Sequence, residues 1–395
     1  MNNLSLVMIV KDAAFWLPGF IAAHEGLAAD WVAVDTGSSD ATPAILAGTG
    51  ARILHVPWRD DFAAARNHGL AAAREPWVLL LDADEIIAPA DRPRLEAALL
   101  QEPRVGYLME ARNYCRRGSH REWQPLRADT PDLPLEADGF FVSRRIGLFP
   151  NHPGIRFAGR IHETVLPALQ RLAMPVIPLD VPVHHLGYAG PDGVNRDRRD
   201  RYRTLVARKL AEDPGDWQAM IEMAAIDLED GRLPQAQALL ERLAQGPRGL
   251  RPVVRGTALL AEIREGQGDL GQAGELLRDV VRQDPRFLFG WIRLIRHEAD
   301  GGRWAAANEL LERAGRRFPG GEPLLLREAL RCKAHVGDLA GALAAADALL
   351  EICPGWSEIR SVRDRLAKAR GHGARHDEGN DTPAEPGGDR QEPGR

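Results

Sequence analysis

The chain has 395 residues, of which 44% are apolar and 27% charged, and a formal net charge of -5 at pH 7. That is the composition of a soluble globular protein with room for two or three domains, and it excludes a global electrostatic attraction to nucleic acid or to an anionic membrane. Its three cysteines, Cys115, Cys332 and Cys353, lie far apart without paired metal spacing, which argues against a disulfide framework and fits a reducing compartment.

The opening, MNNLSLVMIVKDAAFWLPGF, is apolar early but has no basic leader and no small-residue cleavage site, so no signal peptide is expected. No stretch approaches about 20 uninterrupted apolar residues, so no membrane span is expected, and the predicted location is cytoplasmic. Short β-type runs then alternate with helical ones. LSLVMIV reads as a buried strand and AAFWLPGFIAAHEGL as the helix after it. WVAVDTG is a second strand ending in a turn, and ATPAILAGTG a short helix stopping at glycine. ARILHVPW is a third strand, DDFAAARNHGLAAAR a helix and WVLLL a fourth strand. This alternation predicts βαβ units and a parallel sheet covered on both faces, with ligands at the carboxyl ends of the strands.

From about residue 103 to 190, RVGYLMEARNY, GFFVSRRIGLF, GIRFAGRIHETV and VIPLDVPVHHLGY read as β segments, separated by a long loop rich in Arg and Pro. After about residue 205 the strand signals vanish. DGRLPQAQALLERL, QGDLGQAGELLRDV, GGRWAAANELLERA and VGDLAGALAAADAL superimpose, with Gly231, Gly268, Gly302 and Gly337 spaced by 37, 34 and 35 residues. Each glycine is followed five residues later by an alanine, Ala236, Ala273, Ala307 or Ala342, and prolines recur at Pro214, Pro285, Pro319 and Pro354 before helix starts. A period of about 34 residues, a glycine turn, a small residue at the helix crossing and a closing proline resemble the tetratricopeptide repeat. The tail from Gly371 lacks apolar residues and is predicted to be disordered.

The sharpest chemical signal is WVLLLDADE. Two carboxylates two residues apart where a buried strand meets a loop, Asp82 and Asp84, can both reach one hard cation, with a solvated or acid-capped turn as the bland alternative. VDTGSSDAT ends the second strand in a turn between Asp35 and Asp40. Asp35 can face a ribose or base, and Asp40 reads as a helix N-cap. DDFAAARNHGL places Arg66 and Asn67 on a helix before the fourth strand. Arg66 can clamp a phosphate or simply pair with Asp82 or Asp84.

Together, MIVKDAAFWLPGFI, VAVDTGSSDAT, VPWRDDFAAARNHGL and WVLLLDADE resemble the family 2 glycosyltransferases of the GT-A fold over about residues 3 to 190. The similarity is to the branch that includes the sublancin-type peptide S-glycosyltransferase and proteins with trailing tetratricopeptide repeats. The resemblance implies an α/β, Rossmann-like, mostly parallel sheet over residues 1–204, an all-α repeat solenoid over 205–370 and a tail over 371–395. It implies a nucleotide-sugar donor site at Asp35, Arg66, Asn67 and Asp82, with Asp35 on the nucleoside and Asp82 on the ribose or the metal. It also implies a divalent cation, Mn²⁺ or Mg²⁺, held by Asp82, Asp84 and His185. GRIHETV matches the family position of the acceptor base, which makes Glu163 the catalytic candidate and His162 the second. For Glu163 the alternative is a strand-end ion pair with Arg160. HLGY points to His185 as a late metal ligand, with His184 the substitute.

The Q-x-x-R-W motif and membrane helices of processive members are absent from the sequence, so the expected reaction is a single inverting sugar transfer. The acceptor would be a peptide, protein or glycan, with the repeats binding it, another protein or a second copy. Two other readings stay open: a repeat adaptor with a degenerate nucleotide-sugar module, and a nucleotidyltransferase. Against the latter, KDAAFWLPG after the first strand has no Gly-rich triphosphate loop.

Overall fold

The computed structural model describes residues 1–118, 120–133, 136–190 and 192–377, excepting the side chains of 192–199, 201 and 371–377. The chain divides into two compact units, Met1–Ile263 and Arg264–Arg395.

The strands of the first unit are β1 (Leu4–Val10), β2 (Asp30–Asp35), β3 (Arg52–His55), β4 (Trp77–Leu80), β5 (Glu85–Ile86), β6 (Gly106–Cys115), β7 (Gln124–Pro125), β8 (Gly139–Pro150) and β9 (Val176–His185). They form one sheet in the order β3-β2-β1-β4-β8-β6-β9-β5, with β7 paired to β8. β3, β2, β1 and β4 are mutually parallel, as their continuous apolar runs predict. Beyond β4 the sheet is mixed: β8 is antiparallel to both β4 and β6, β9 is parallel to β6, and β5 is antiparallel to β9. Parallel pairing, the expectation for most of the sheet, holds among β3, β2, β1 and β4 and between β6 and β9, and the other pairings are antiparallel.

Helices cover both faces: α1 (Leu17–His24), α2 (Thr42–Ala47), α3 (Phe62–Ala72), α4 (Arg92–Leu99) and α5 (Leu166–Arg171). Side chains along β4 alternate between two cores. Trp77 and Leu79 join Leu17 and Phe20 of α1 and Leu95 of α4. Val78 and Leu80 join Leu70 of α3 and Leu169 of α5. α3 lies very close to the sheet at Gly69, where a Cβ would stand 2.5 Å from Val7 Cγ1, and that approach fixes Arg66 one turn earlier.

Two local expectations are corrected. GIRFAGRIHETV is not a strand but a loop closed by a single bridge between Ala158 and Thr164, because its φ angles turn positive at Gly159 and His162. Asp40 is not the N-cap of α2, which is Ala41. Its carboxylate instead accepts from Thr42 N at 2.9 Å and from Ala14 N at 3.0 Å, tying the β1 and β2 loops together.

The remaining helices are α6 (Asp192–Glu212), α7 (Trp217–Glu229), α8 (Leu233–Ala244), α9 (Arg251–Gly266), α10 (Leu270–Gln283), α11 (Leu288–Asp300), α12 (Trp304–Arg317), α13 (Pro323–His335), α14 (Leu339–Ile352) and α15 (Ser357–Asp377). Gly231, Gly268, Gly302 and Gly337 all turn with positive φ between the helices of a pair. Ala236, Ala273, Ala307 and Ala342 are completely buried, as close helix crossings require. The sequence-predicted boundary at 204/205 lies inside α6, and the first unit extends to Ile263. A physical reason is the apolar cluster that joins Ile161 to Val206 of α6 and to Ala219, Met223 and Ile226 of α7.

In the second unit, Leu330, Ala346, Leu349, Cys353 and Trp356 knit α13, α14 and the start of α15 together. An ion pair joins α11 to α13, with Arg296 Nε 2.6 Å from Oε1 of the buried Glu328. α15 runs to Asp377, past the predicted start of the tail, and residues 378–395 of that predicted tail lie outside the described residues. Among the described residues, no helix is long and apolar enough to cross a membrane.

Candidate active site

Past β4, Leu81 and Ala83 stay in the core. The acids interleaved with them, Asp82, Asp84 and Glu85, find polar partners at the carboxyl end of the sheet. Arg66 Nη2 donates to both oxygens of Asp82, at 3.1 and 3.3 Å, while its Nε donates to Glu163 Oε1 at 2.6 Å. One guanidinium thus joins the strand-end acid to the acid of the 159–165 loop, which lies 97 residues beyond Arg66 in sequence. Burial works against the Arg66 charge, but the carboxylates of Asp82 and Glu163 outweigh it and hold its pKa above the usual arginine value. This is the pairing named as one of the two readings of Arg66, with Asp82 as the partner. Glu163 pairs with Arg66 and not with Arg160, whose Nη1 lies 3.5 Å from Glu212 Oε1.

A second cation stands beside the first. Arg145 of β8 pairs with Glu85 and approaches Asp82 Oδ2 at 3.9 Å. Glu85 is buried and its Oε2 also accepts from Asp82 N at 2.8 Å, which fixes the turn that presents Asp82.

Asp84 and His185 meet on the far side of the turn, with His185 Nε2 3.3 Å from Asp84 Oδ2. The neighbouring Asn113 determines what that contact means. Its amide nitrogen donates to Ala111 O, Phe141 O and Ser143 Oγ at 3.1, 3.1 and 3.0 Å, so its oxygen faces His185 Nδ1 at 2.8 Å. Nδ1 therefore carries a proton. In the neutral ring Nε2 is then a lone pair aimed at a carboxylate oxygen, an arrangement relieved by a shared proton or cation. A histidine oriented through its other nitrogen is also the usual support of a metal ligand. Asp84 and His185 are in this sense a fitting pair for a divalent cation. Among the described residues, no three His, Cys, Asp or Glu side chains converge as a preformed cation site. Asp82, expected as a third ligand, accepts from Arg66 and lies 3.9 Å from Arg145.

His184, the open substitute for His185, is completely buried, and its Nδ1 lies 2.7 Å from the Tyr114 hydroxyl. Burial first, then the Arg112 charge, lowers its pKa to about 4. Period two along β9 sends the two histidines to opposite faces, and His185 is the one beside Asp84.

Asp35 ends β2 and closes its own turn, accepting from Ser38 Oγ at 2.7 Å, Ser38 N at 2.9 Å and Gly37 N at 3.3 Å. His55 Nδ1 lies 3.3 Å from its other oxygen. Burial pushes the Asp35 carboxyl up, but the Ser38, His55 and Gly37 hydrogen bonds prevail and hold it below the usual carboxylate range. Asn67 is not free for a donor. Its Nδ2 donates to Phe157 O at 3.0 Å and its Oδ1 accepts from Phe157 N at 2.8 Å, a two-point clamp between α3 and the segment leading to Glu163. His162, the second catalytic candidate, turns its Nε2 to Glu222 Oε1 at 2.7 Å and to the Tyr202 hydroxyl.

The structure thus brings Arg66, Asp82 and Glu163 into one ion-paired chain and places Asp84 with His185. Arg145, Asn113 and Glu85 were not assigned to the site from sequence. Glu85 stands in plain view beside DAD, whereas Arg145 and Asn113 sit in strands whose pairing only the folded sheet reveals.

The family described as Glycosyl transferase family 2 matches residues 21–158. A TPR repeat-containing protein of Synechococcus elongatus is 32% identical over 328 residues, covering 80% of this chain and 75% of that protein. The succinoglycan biosynthesis protein ExoO of Rhizobium meliloti is 39% identical over 75 residues, 18% of this chain and 21% of that protein. Among solved structures, TTC0263, a thermophilic TPR protein of Thermus thermophilus, is similar over 44% of this chain and 92% of its own, at 24% identity and a TM-score of 0.34. With a sheet of this order, acids at the end of β4 and a relative alike across both parts, the chain belongs to the family 2 glycosyltransferases that carry tetratricopeptide repeats.

Proposed function

We propose that the chain transfers a single sugar, with inversion, from a nucleotide-diphosphate sugar to an acceptor, with Glu163 as the general base. The observation that carries this reading is the Arg66 bridge between Asp82 and Glu163. It couples the end of β4, where a donor binds in a sheet of this kind, to the one acid on the 159–165 loop. The acceptor heteroatom attacks the anomeric carbon, the bond from that carbon to the diphosphate oxygen breaks, and Glu163 takes the acceptor proton. Arg66 holds Glu163 and Asp82 in place and Asn67 fixes the chain before the loop, so both act as positioning residues. Asp35 lies at the carboxyl end of β2, on the donor side. Asp84 and His185 would hold a divalent cation, which when bound supplies positive charge to the departing diphosphate.

The helical repeats supply none of the residues in the Arg66, Asp82 and Glu163 chain. Their proposed role is to bind a peptide or protein acceptor and raise its effective concentration near Glu163. The test of the whole reading is release of nucleoside diphosphate from UDP-glucose, UDP-N-acetylglucosamine and GDP-mannose, each with Mn²⁺. Release by the native chain and its loss in Glu163→Gln support the reading, and no release from any nucleotide sugar tried counts against it.

A further inference from the structure

The segment from Gly159 to Thr164 is an unusual carrier for a functional acid. It closes on itself through reciprocal hydrogen bonds between Ala158 and Thr164, both at 3.0 Å. Within it, His162 has φ +52°, a left-handed conformation that a histidine adopts at a cost. Something must hold it there.

The holders come from the first helices of the helical region. Arg160 reaches Glu212 at the end of α6. Ile161 is buried among Val206 of α6 and Ala219, Met223 and Ile226 of α7. His162 Nε2 meets Glu222 Oε1 of α7 at 2.7 Å, and the Tyr202 hydroxyl of α6 donates to Glu222 Oε2 at 3.1 Å while also contacting His162. Gln218 Nε2 donates to Glu222 Oε1 at 2.6 Å, so Glu222 itself is fixed. Three consecutive residues therefore bind the helices, and the fourth, Glu163, turns to Arg66.

We propose that α6 and α7 form a latch, closed by Tyr202 and Glu222 on His162, that sets the position of Glu163. The helical region then has a part in the reaction separate from any acceptor it holds. This rests on the reading of Glu163 as the base. If the latch opens, His162 relaxes out of the left-handed region, and the adjoining residue swings with it. His162, Tyr202 and Glu222 are positioning residues; none of them takes the proton.

The test uses the full chain and the variants Glu222→Ala, Tyr202→Phe, His162→Gly and His162→Asn. Hydrogen–deuterium exchange of the loop amides, without any ligand, reads the latch directly. Exchange at Thr164 N should rise at least tenfold in Glu222→Ala and His162→Gly, less in Tyr202→Phe, with β1 and β4 unchanged. Nucleotide-sugar hydrolysis with Mn²⁺ reads the consequence: turnover falls at least tenfold in Glu222→Ala and His162→Gly while the donor KM stays put. His162→Asn should fall between native and His162→Gly in both readouts, because asparagine tolerates positive φ but its amide nitrogen stands where Nδ1 does, short of Glu222. Unchanged exchange in Glu222→Ala and His162→Gly overturns the latch. Faster exchange with unchanged turnover overturns its role in positioning the base. Native turnover in Glu163→Gln would instead sink the general-base reading and leave the exchange result standing.

Discussion

Replacing Arg66 with methionine removes the guanidinium but keeps most of the side-chain volume. In the native chain Arg66 is almost wholly buried and its two partners are largely so, with side-chain exposures of 9%, 26% and 13% for Arg66, Asp82 and Glu163. Removing the cation leaves two carboxylates with one counter-charge fewer, while Arg145 stays 3.9 Å from Asp82. Breaking a buried ion pair from one side costs about 3–5 kcal/mol, and the partial exposure of Asp82 places this case at the lower end, about 3 kcal/mol. For a unit of this size that is a fall in melting temperature of roughly 6–10 °C. The assay is a thermal melt followed by near-ultraviolet circular dichroism, with nucleotide-sugar turnover measured on the folded variant. Turnover should fall about a hundredfold or more, because Glu163 loses the group that orients it. A melting temperature within about 2 °C of native, together with native turnover, would refute the bridge as the organising contact of the site.

Three further outcomes follow from the same geometry. Asp84→Asn should abolish Mn²⁺-dependent turnover while the melting temperature in metal-free buffer stays within about 2 °C of native, since the amide keeps shape but not charge; metal titration followed by melting checks it. A chain ending at Arg203 should aggregate, because Val206, Ala219 and Met223 no longer cover Ile161; size-exclusion chromatography decides it. His24 is buried, with Nε2 accepting from Ile87 N at 3.1 Å, and burial lowers its pKa to about 4. Its folded pKa lies below the unfolded value, so the stability it contributes is present above about pH 6.5 and is lost as pH falls toward 4; His24→Gln should flatten that slope in a pH series of melts.

Much of this architecture is legible in the sequence, and what is not has identifiable causes. β1, β2 and β4 show as apolar runs because parallel strands are buried on both faces, and Asp35 at the end of β2 and Asp82 just past β4 mark the carboxyl edge of the sheet. The repeats show because glycine and alanine recur where geometry permits little else. GIRFAGRIHETV misleads because its alternating apolar residues imitate a strand. In fact Ile155 and Phe157 point into the sheet core while Ile161 points between α6 and α7. Arg145 and Asn113 are silent in sequence because β8 and β6 acquire their neighbours only through pairings across tens of residues. The boundary between the units is hidden for a related reason. Helical periodicity begins at α6, but side chains of α6 and α7 are spent on the loop that carries Glu163.

The most direct test of the account is the rate of nucleoside diphosphate release from a nucleotide sugar with Mn²⁺, compared between the native chain and Glu163→Gln with donor binding measured alongside. General base catalysis contributes about 10²–10⁴-fold, so the variant should lose at least about a hundredfold in turnover while binding the donor as tightly as the native chain. Equal turnover in the two proteins, or a collapse of donor binding in the variant, would contradict the assignment of Glu163 as the base.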